Sequence, residues 1–328
     1  MSGVSGDSAQ RALRDEGGDR LASGRSPDGI LLVDKPQDYT SHDVVARIRR
    51  VANTRKVGHA GTLDPMATGL LIIGVGTATR LLTHVVGVDK VYEATIRLGQ
   101  STVTDDAEGE VTERAEAGTV DAVTDDAIGA GIRALTGPIE QVPSTVSAIK
   151  VDGKRAYARA RAGESVELAA RPITIHSFEL RETRRMPGLI DLDVRVACSS
   201  GTYVRALARD LGAALGTGGH LTMLRRTAVG PFDVAAATPL GALVEGAVPV
   251  AEVLLSLADA AARLFPTLPL DAQQAIDLGH GKKLHVEAPE QPGIRAAIEQ
   301  SGRLVALVSV SATGVVRVET GFPSSQES

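Results

Sequence analysis

From Gly29 onward the chain alternates between short apolar runs and polar, glycine-bearing connections. Ile30 to Val33 is a continuous apolar run of the length of a buried strand. Thr40-x-x-Asp43 is a capping-box variant with Asp in the place of Glu or Gln. It opens a predicted helix with Val44, Val45, Ile48 and Val51 on one face and arginines elsewhere. Leu70 to Val75 is a second β-rich run. From Val91 to Leu98 the pattern has period two: Tyr92, Ala94, Ile96 and Leu98 share one face, and Glu93, Thr95 and Arg97 the other. Residues 121 to 135 are weakly helical. Ile190, Leu192, Val194, Val196 and Cys198 alternate as a further strand. A Ser-Ser-Gly-Thr turn follows, then a helix with Val204, Leu207, Leu211 and Leu215 inward and Thr202 as its expected N-cap. Leu304–Val310 and Val315–Glu319 read as strands paired across a Thr-Gly turn.

Three stretches break this rhythm. Residues 1–28 are rich in Gly, Ser, Asp and Arg and lack any hydrophobic region, so they are expected to form a disordered tail and not a signal peptide. Residues from about 140 to 171 carry Lys150, Lys154, Arg155, Arg159, Arg161 and Arg171 among glycines, and read as an inserted arm, mobile without a ligand. After about 265, Pro266, Pro269, Gly279, Gly281, Pro289 and Pro292 punctuate short segments. The expected division is therefore a tail at 1–28, a main domain at 29–265 with its insertion, and a small domain at 266–328.

At 328 residues the chain is long enough for one large domain and a small one. With 2% aromatic residues and no Trp, the core has to be built from Val, Leu, Ile and Ala. The single Cys198 excludes an internal disulfide, fits a reducing cytoplasm, and sits in a strand pattern as a buried thiol. No apolar run has the length of a membrane span. The net charge of −5 argues against a uniformly basic nucleic-acid binder, but not against a local footprint. Arg47, Arg49, Arg50, Arg55 and Lys56 form one basic cluster and the 140–171 arm another. Acid gathers at Asp105, Asp106, Glu108, Glu110, Asp121, Asp125 and Asp126. Each basic run taken alone reads equally as a solvated face. Metal-ligand spacings and phosphate-loop or dinucleotide signatures are absent from the sequence, so no metal and no cofactor are expected.

The densest information lies in Gly58-His59-Ala60-Gly61-Thr62-Leu63-Asp64-Pro65-Met66-Ala67-Thr68-Gly69-Leu70. Pro65 pushes Asp64 toward an extended backbone, and Leu63, Pro65 and Met66 shield it. A carboxylate placed so is either the cap of a tight Asp-Pro turn or a reactive group. The whole string resembles the catalytic motif of the TruB family of tRNA pseudouridine synthases. The resemblance continues in Gly29 to Pro36, Lys90-Val91-Tyr92-Glu93-Ala94, Leu98-Gly99-Gln100, Pro143-Ser144 with Ser147 to Lys150, Ser200 to Arg205, and Leu224-Arg225-Arg226. It covers residues 29 to about 235.

The resemblance implies an α+β pseudouridine synthase fold: a mixed, largely antiparallel sheet flanked by helices, followed by a small β-rich domain of the PUA type. It implies conversion of uridine to pseudouridine in the T-loop of tRNA, position 55, with the T-arm stem-loop as partner and no obligate protein partner. It assigns Asp64, Tyr92 and Arg205 to catalysis. Tyr92 would stack on the target base and take a proton late. The family pairs the arginine matching Arg205 with the aspartate matching Asp64. That pairing meets an independent oddity: with Thr202 as cap, Arg205 falls in a first helical turn, where a cation is disfavoured by roughly 0.3–1 kcal/mol and needs a carboxylate to offset it. His59 would fill the space left by a flipped base, although by itself it reads as a loop histidine. Lys35, Pro36, Gly61, Thr62, Leu63, Tyr203, Leu224, Lys150, Lys154 and Arg155 complete the expected RNA contacts. The reaction needs no redox partner. The carboxylate would add to the uracil ring, or act at the anomeric carbon, and either route requires Asp64 to be ionised. Two other readings are a tRNA-folding module without catalysis and a pseudouridine synthase acting on a different RNA.

Overall fold

A computed structural model describes residues 28–116, 118–144, 150–151, 154–155 and 169–323. The expectation for residues 1–27 therefore lies outside the described residues, as does most of the 140–171 arm.

Ten strands of the described residues form one sheet. From one edge the order is Thr238–Pro239, Gly29–Lys35, Thr68–Val75, Gly219–Val229, Lys90–Leu98, Leu189–Cys198, Arg171–Met186 and Gly137–Gln141. Val57–Ala60 adds to Thr68–Val75, and Phe232–Asp233 to Gly219–Val229. Parallel pairing occurs between Gly29–Lys35 and Thr238–Pro239, and where Arg225 and Arg226 meet Thr68 and Gly69. All other pairs are antiparallel, so the sheet is mixed and largely antiparallel, as the resemblance implied.

One face carries the core predicted from the alternating strands. Tyr92, Ala94, Ile96 and Leu98 pack with Leu192, Val194 and Val196 against helices Ser41–Val51, Asp125–Ala134 and Val204–Ala214. The first of these helices begins as expected: the Thr40 hydroxyl accepts from Asp43 N, and Asp43 accepts from Thr40 N at 2.9 Å. Arg49 and Arg50 occupy its last turn, where the dipole favours cations.

The other face is shared with a second sheet, of order Thr267–Leu270, Gly293–Glu299, Leu304–Val310, Val315–Gly321 and Leu284–His285. Its Leu304 and Leu307 join Ile30, Leu32, Leu70 and Ile72 of the large sheet in one apolar cluster, with helix Leu257–Leu264 between them. The hairpin of Leu304–Val310 with the following strand is the one expected, extended to Gly321. Among the described residues, no helix is long and apolar enough to cross a membrane.

One expectation changes. Thr202 does not cap its helix: the N-cap is Tyr203, which makes no side-chain capping bond, and the Thr202 hydroxyl turns back to Ser199 O at 3.0 Å. Gln141 takes over the capping. Its Oε1 accepts from Tyr203 N at 2.9 Å and its Nε2 donates to Tyr203 O at 3.1 Å. The arm, in turn, springs from a closed root, because Gln141 is paired with Arg171 across adjacent strands.

Leu307 is fully buried in the cluster that joins the two sheets. Leu307→Ala should lower stability by about 2–5 kcal/mol. Because the cavity lies in a shared core, both sheets should lose stability together. Denaturant unfolding followed by far-UV circular dichroism, and hydrogen exchange of amides in each sheet, checks this.

Candidate active site

The motif loop is held by backbone carbonyls and buried cations. The Ser41 hydroxyl, at the start of the first helix, accepts from Leu63 N at 2.9 Å and donates to Leu63 O at 3.2 Å. Pro65 O accepts from Asp38 N and from Lys35 Nζ. Arg226, 1% exposed, donates to Leu70 O at 2.8 Å, Gly61 O at 3.2 Å and Thr62 O at 3.4 Å. Gly69 lets the strands come this close: at φ +98, a Cβ there would lie 2.3 Å from Arg226 O.

The loop presents Asp64 to helix Val204–Ala214. Arg205 Nε lies 3.0 Å from Asp64 Oδ2. The Arg205 side chain is nearly buried, while Asp64 keeps about a third of its side chain open, into the cleft. The same guanidinium reaches Asp106 Oδ2 at 3.2 Å and Thr104 O at 3.0 Å. Asp106 is buried and oriented by Thr104 Oγ1 and by Glu108 N at 3.0 Å. One arginine thus sits between two carboxylates, which resolves the cation in the first helical turn. Burial raises the Asp64 pKa above the ordinary carboxylate value; Arg205 and Lys35 counter that shift and Asp106 adds to it.

Tyr92 lies across the cleft. Burial raises its phenol pKa, and the neighbouring Arg226 guanidinium works in the opposite direction. The cleft, of about 300 Å³, is lined by Gly61, Thr62, Leu63, Asp64, Tyr92, Tyr203, Arg205 and Leu224, together with Val86, Lys90 and the 200–202 turn. That volume lies at the lower end of the range for small-molecule sites. The structure therefore brings Asp64, Tyr92, Arg205, Gly61, Thr62, Leu63, Tyr203 and Leu224 together.

It places others elsewhere. Lys35, expected to touch RNA, is fully buried beneath the loop, and its ammonium donates to Tyr39 O, Pro65 O and Pro36 O at 2.5, 3.1 and 3.2 Å. Pro36 is exposed outside the cleft lining. His59 packs edge-on against His42, with ring centroids 5.5 Å apart, to one side of the cleft. Burial lowers its pKa, and His42 lowers it further. The side chains of Lys150, Lys154 and Arg155 lie outside the described residues.

Asp106, Gln141 and Arg226 were not assigned roles from sequence. Asp106 stands among Asp105, Glu108 and Glu110, and that acidic run by itself names no partner for it. Its local signal is Thr104-x-Asp106-x-Glu108, a side chain bonding backbone two residues on.

Three family models match successive stretches of the chain. A family model described as TruB family pseudouridylate synthase (N terminal domain) matches residues 49–204. The tRNA pseudouridylate synthase B C-terminal domain matches 205–254, and tRNA Pseudouridine synthase II, C terminal, matches 265–317. The tRNA pseudouridine synthase B of Leifsonia xyli subsp. xyli (strain CTCB07) is 59% identical over 85% of this chain and 92% of its own length. That of Thermobifida fusca (strain YX) is 55% identical over 85% of this chain and 94% of its own. Among solved structures, an H/ACA RNP bound to a substrate RNA containing 2′-deoxyuridine aligns with TM-score 0.68 at 25% identity, over 90% of this chain and 85% of that one. A Cbf5-Nop10-Gar1 complex aligns with TM-score 0.68 at 26% identity over the same shares.

Burial pushes the Lys35 pKa down to about 8 from 10.5. Between these values the unfolded chain binds more protons than the folded one, so the contribution of Lys35 to stability rises with pH across that window, by about 1.4 kcal/mol per unit of difference. Below pH 8 its cost is constant. Lys35→Met should flatten this rise relative to the wild type, measured as denaturation midpoints from pH 7 to 10.5.

Proposed function

The chain belongs to the TruB family of pseudouridylate synthases, and on that premise we propose that it isomerises uridine to pseudouridine in the T-loop of tRNA, at position 55. The single observation that carries the reading is Asp64, presented to a cleft of nucleoside size with Arg205 at 3.0 Å. The reaction breaks the C1′–N1 bond, turns the base and joins C1′ to C5. The proton lost from C5 is balanced by one gained at N1, so no oxidant, metal or transferred group is needed.

Asp64 is the nucleophile, and it acts ionised. Arg205 keeps it so against burial and fixes the plane of the carboxylate. Asp106 holds Arg205 from behind. Tyr92 and Leu224 form apolar surface for the base, and the Tyr92 hydroxyl is the group for late proton removal from C5, with Arg226 stabilising its ionised form. A uridine stacked within a T-arm must be extruded to enter such a cleft. The basic arm at 140–171 and His59 are assigned to the RNA around it, and residues 266–328 to a PUA-like RNA-binding domain. The chain's lone thiol, buried and raised to about 11, suits a reducing cytoplasm.

Pseudouridine mapping in tRNA transcripts incubated with the purified protein tests the reading. Asp64→Asn should abolish turnover while tRNA affinity stays within a few-fold; near-normal product from this variant would remove Asp64 from the mechanism. With the wild type, kcat/KM should fall on acidification with an apparent pKa above the ordinary carboxylate value of about 3.9.

Arg205→Lys should lower kcat by about ten- to a hundredfold despite its charge. A lysine cannot span Asp64, Asp106 and Thr104 O in one plane. Single-turnover rates with saturating enzyme provide the check.

A further inference from the structure

One wall of the cleft is made by a segment that the proposed chemistry does not use. Residues Val86 to Asp89 connect helix Leu82–Val85 to strand Lys90–Leu98. Val86 lines the cleft and is 45% exposed, an apolar side chain left open beside Tyr92 and Leu224. Its carbonyl accepts two side-chain hydrogen bonds, from Lys90 Nζ at 2.6 Å and from Ser200 Oγ at 2.8 Å. The Lys90 ammonium also donates to Val88 O at 2.6 Å. Lys90 is only 6% exposed, and burial lowers its pKa to about 8. A buried amine is costly where an apolar chain of the same length would fill the space.

Both ends of the segment are fixed as well. Val88 sits against Gly230, where Gly230 N donates to Asp89 O at 2.8 Å. Before the segment, His84 Nε2 lies 2.9 Å from Thr320 Oγ1, and Arg80 donates to Gly321 O at 2.8 Å, so the preceding helix is tied to the second sheet.

We infer that Lys90 and Ser200 are positioning residues, which hold Val86 as the apolar wall that seats the target nucleoside and retains the detached base. The inference rests on the reading of this cleft as the uridine site. Val86 is the apolar contact; Lys90, which also borders the cleft, holds it through its carbonyl. A base that leaves its ribose and must return in another orientation needs a wall that does not yield. Two donors on one carbonyl, one anchored on the strand Lys90–Leu98 and one on the turn at Ser200, supply that stiffness.

The test uses the full chain and a T-arm stem-loop transcript tritiated at uridine C5, since product formation releases that hydrogen. Val86→Ala should raise KM about fivefold, because its side chain is exposed in the free protein and loses apolar burial only in the complex. Its melting temperature should not move. Lys90→Met should lower kcat/KM about tenfold or more at temperatures where it remains folded, and Lys90→Gln, which restores a donor, should recover part of the loss. The double variant Val86→Ala/Lys90→Met should be no worse than Lys90→Met alone, because the two residues act as one unit. Additive losses, or wild-type kinetics in Lys90→Met, overturn the inference. If Lys90→Met does not fold, Ser200→Ala carries the same comparison from the other donor. Asp64→Asn runs in parallel: turnover by that variant would defeat the uridine-site reading itself. An inert Asp64→Asn beside wild-type Val86→Ala and Lys90→Met would defeat only the role of the wall.

Discussion

The site depends on one buried cation shared by two carboxylates. Arg205 has Asp64 at 3.0 Å and Asp106 at 3.2 Å and is 4% exposed. Removing an ion of this kind from water costs several kcal/mol, so a lone pair held this deep is a poor source of stability. What it supplies is direction. Asp106 and Thr104 O fix the guanidinium from one side, and the remaining edge can meet Asp64 in only one orientation. The scaffold serves that geometry: Ser41, Lys35 and Arg226 fasten the loop that carries Asp64, and Gln141 fastens the start of the helix that carries Arg205.

These fastenings share a chemical style. Arg226 places its donors on backbone carbonyls of the motif loop, Lys35 joins Pro65 O of that loop to the carbonyls of Pro36 and Tyr39, and Lys90 holds the carbonyls of Val86 and Val88 on the opposite wall. Carbonyls of an irregular loop cannot be met by a regular ladder, yet buried ones must be met. A long cationic side chain reaching up from the sheet satisfies two or three at once. The loop is therefore rigid without being helical or extended, and Asp64 can sit at a cleft edge without losing its orientation.

Much of this was legible in the sequence. The alternation of Tyr92 with Ala94, Ile96 and Leu98 put the tyrosine on the inner face, and the first-turn arginine announced a missing carboxylate. The capping box at Thr40 and the hairpin after Leu304 follow local rules and appear as expected. Residues whose partners are distant in sequence were not legible. Asp106 carries the same letters as an acidic surface. Lys35 is among the RNA contacts the resemblance implies, and the fold closes over it. Thr202 had the right chemistry for a cap, but the turn before it directs its hydroxyl back to Ser199, and a glutamine 62 positions upstream does the capping. Local propensity gave way to tertiary placement in each case.

The closed root of the 140–171 arm has a consequence for how such a protein can diversify. Gln141 and Arg171 are ladder partners, so the two ends of the excursion are already together, whatever lies between them. Doubling the length of a flexible loop then costs only about 0.6 kcal/mol. A change of length between strands already closed at their root leaves their pairing intact. The arm's splice point is constrained, however, because Gln141 is also the residue that grips the backbone of Tyr203, two positions before Arg205. A change there that preserves Gln141 leaves the backbone of Tyr203, and with it the approach of Arg205 to Asp64, in place.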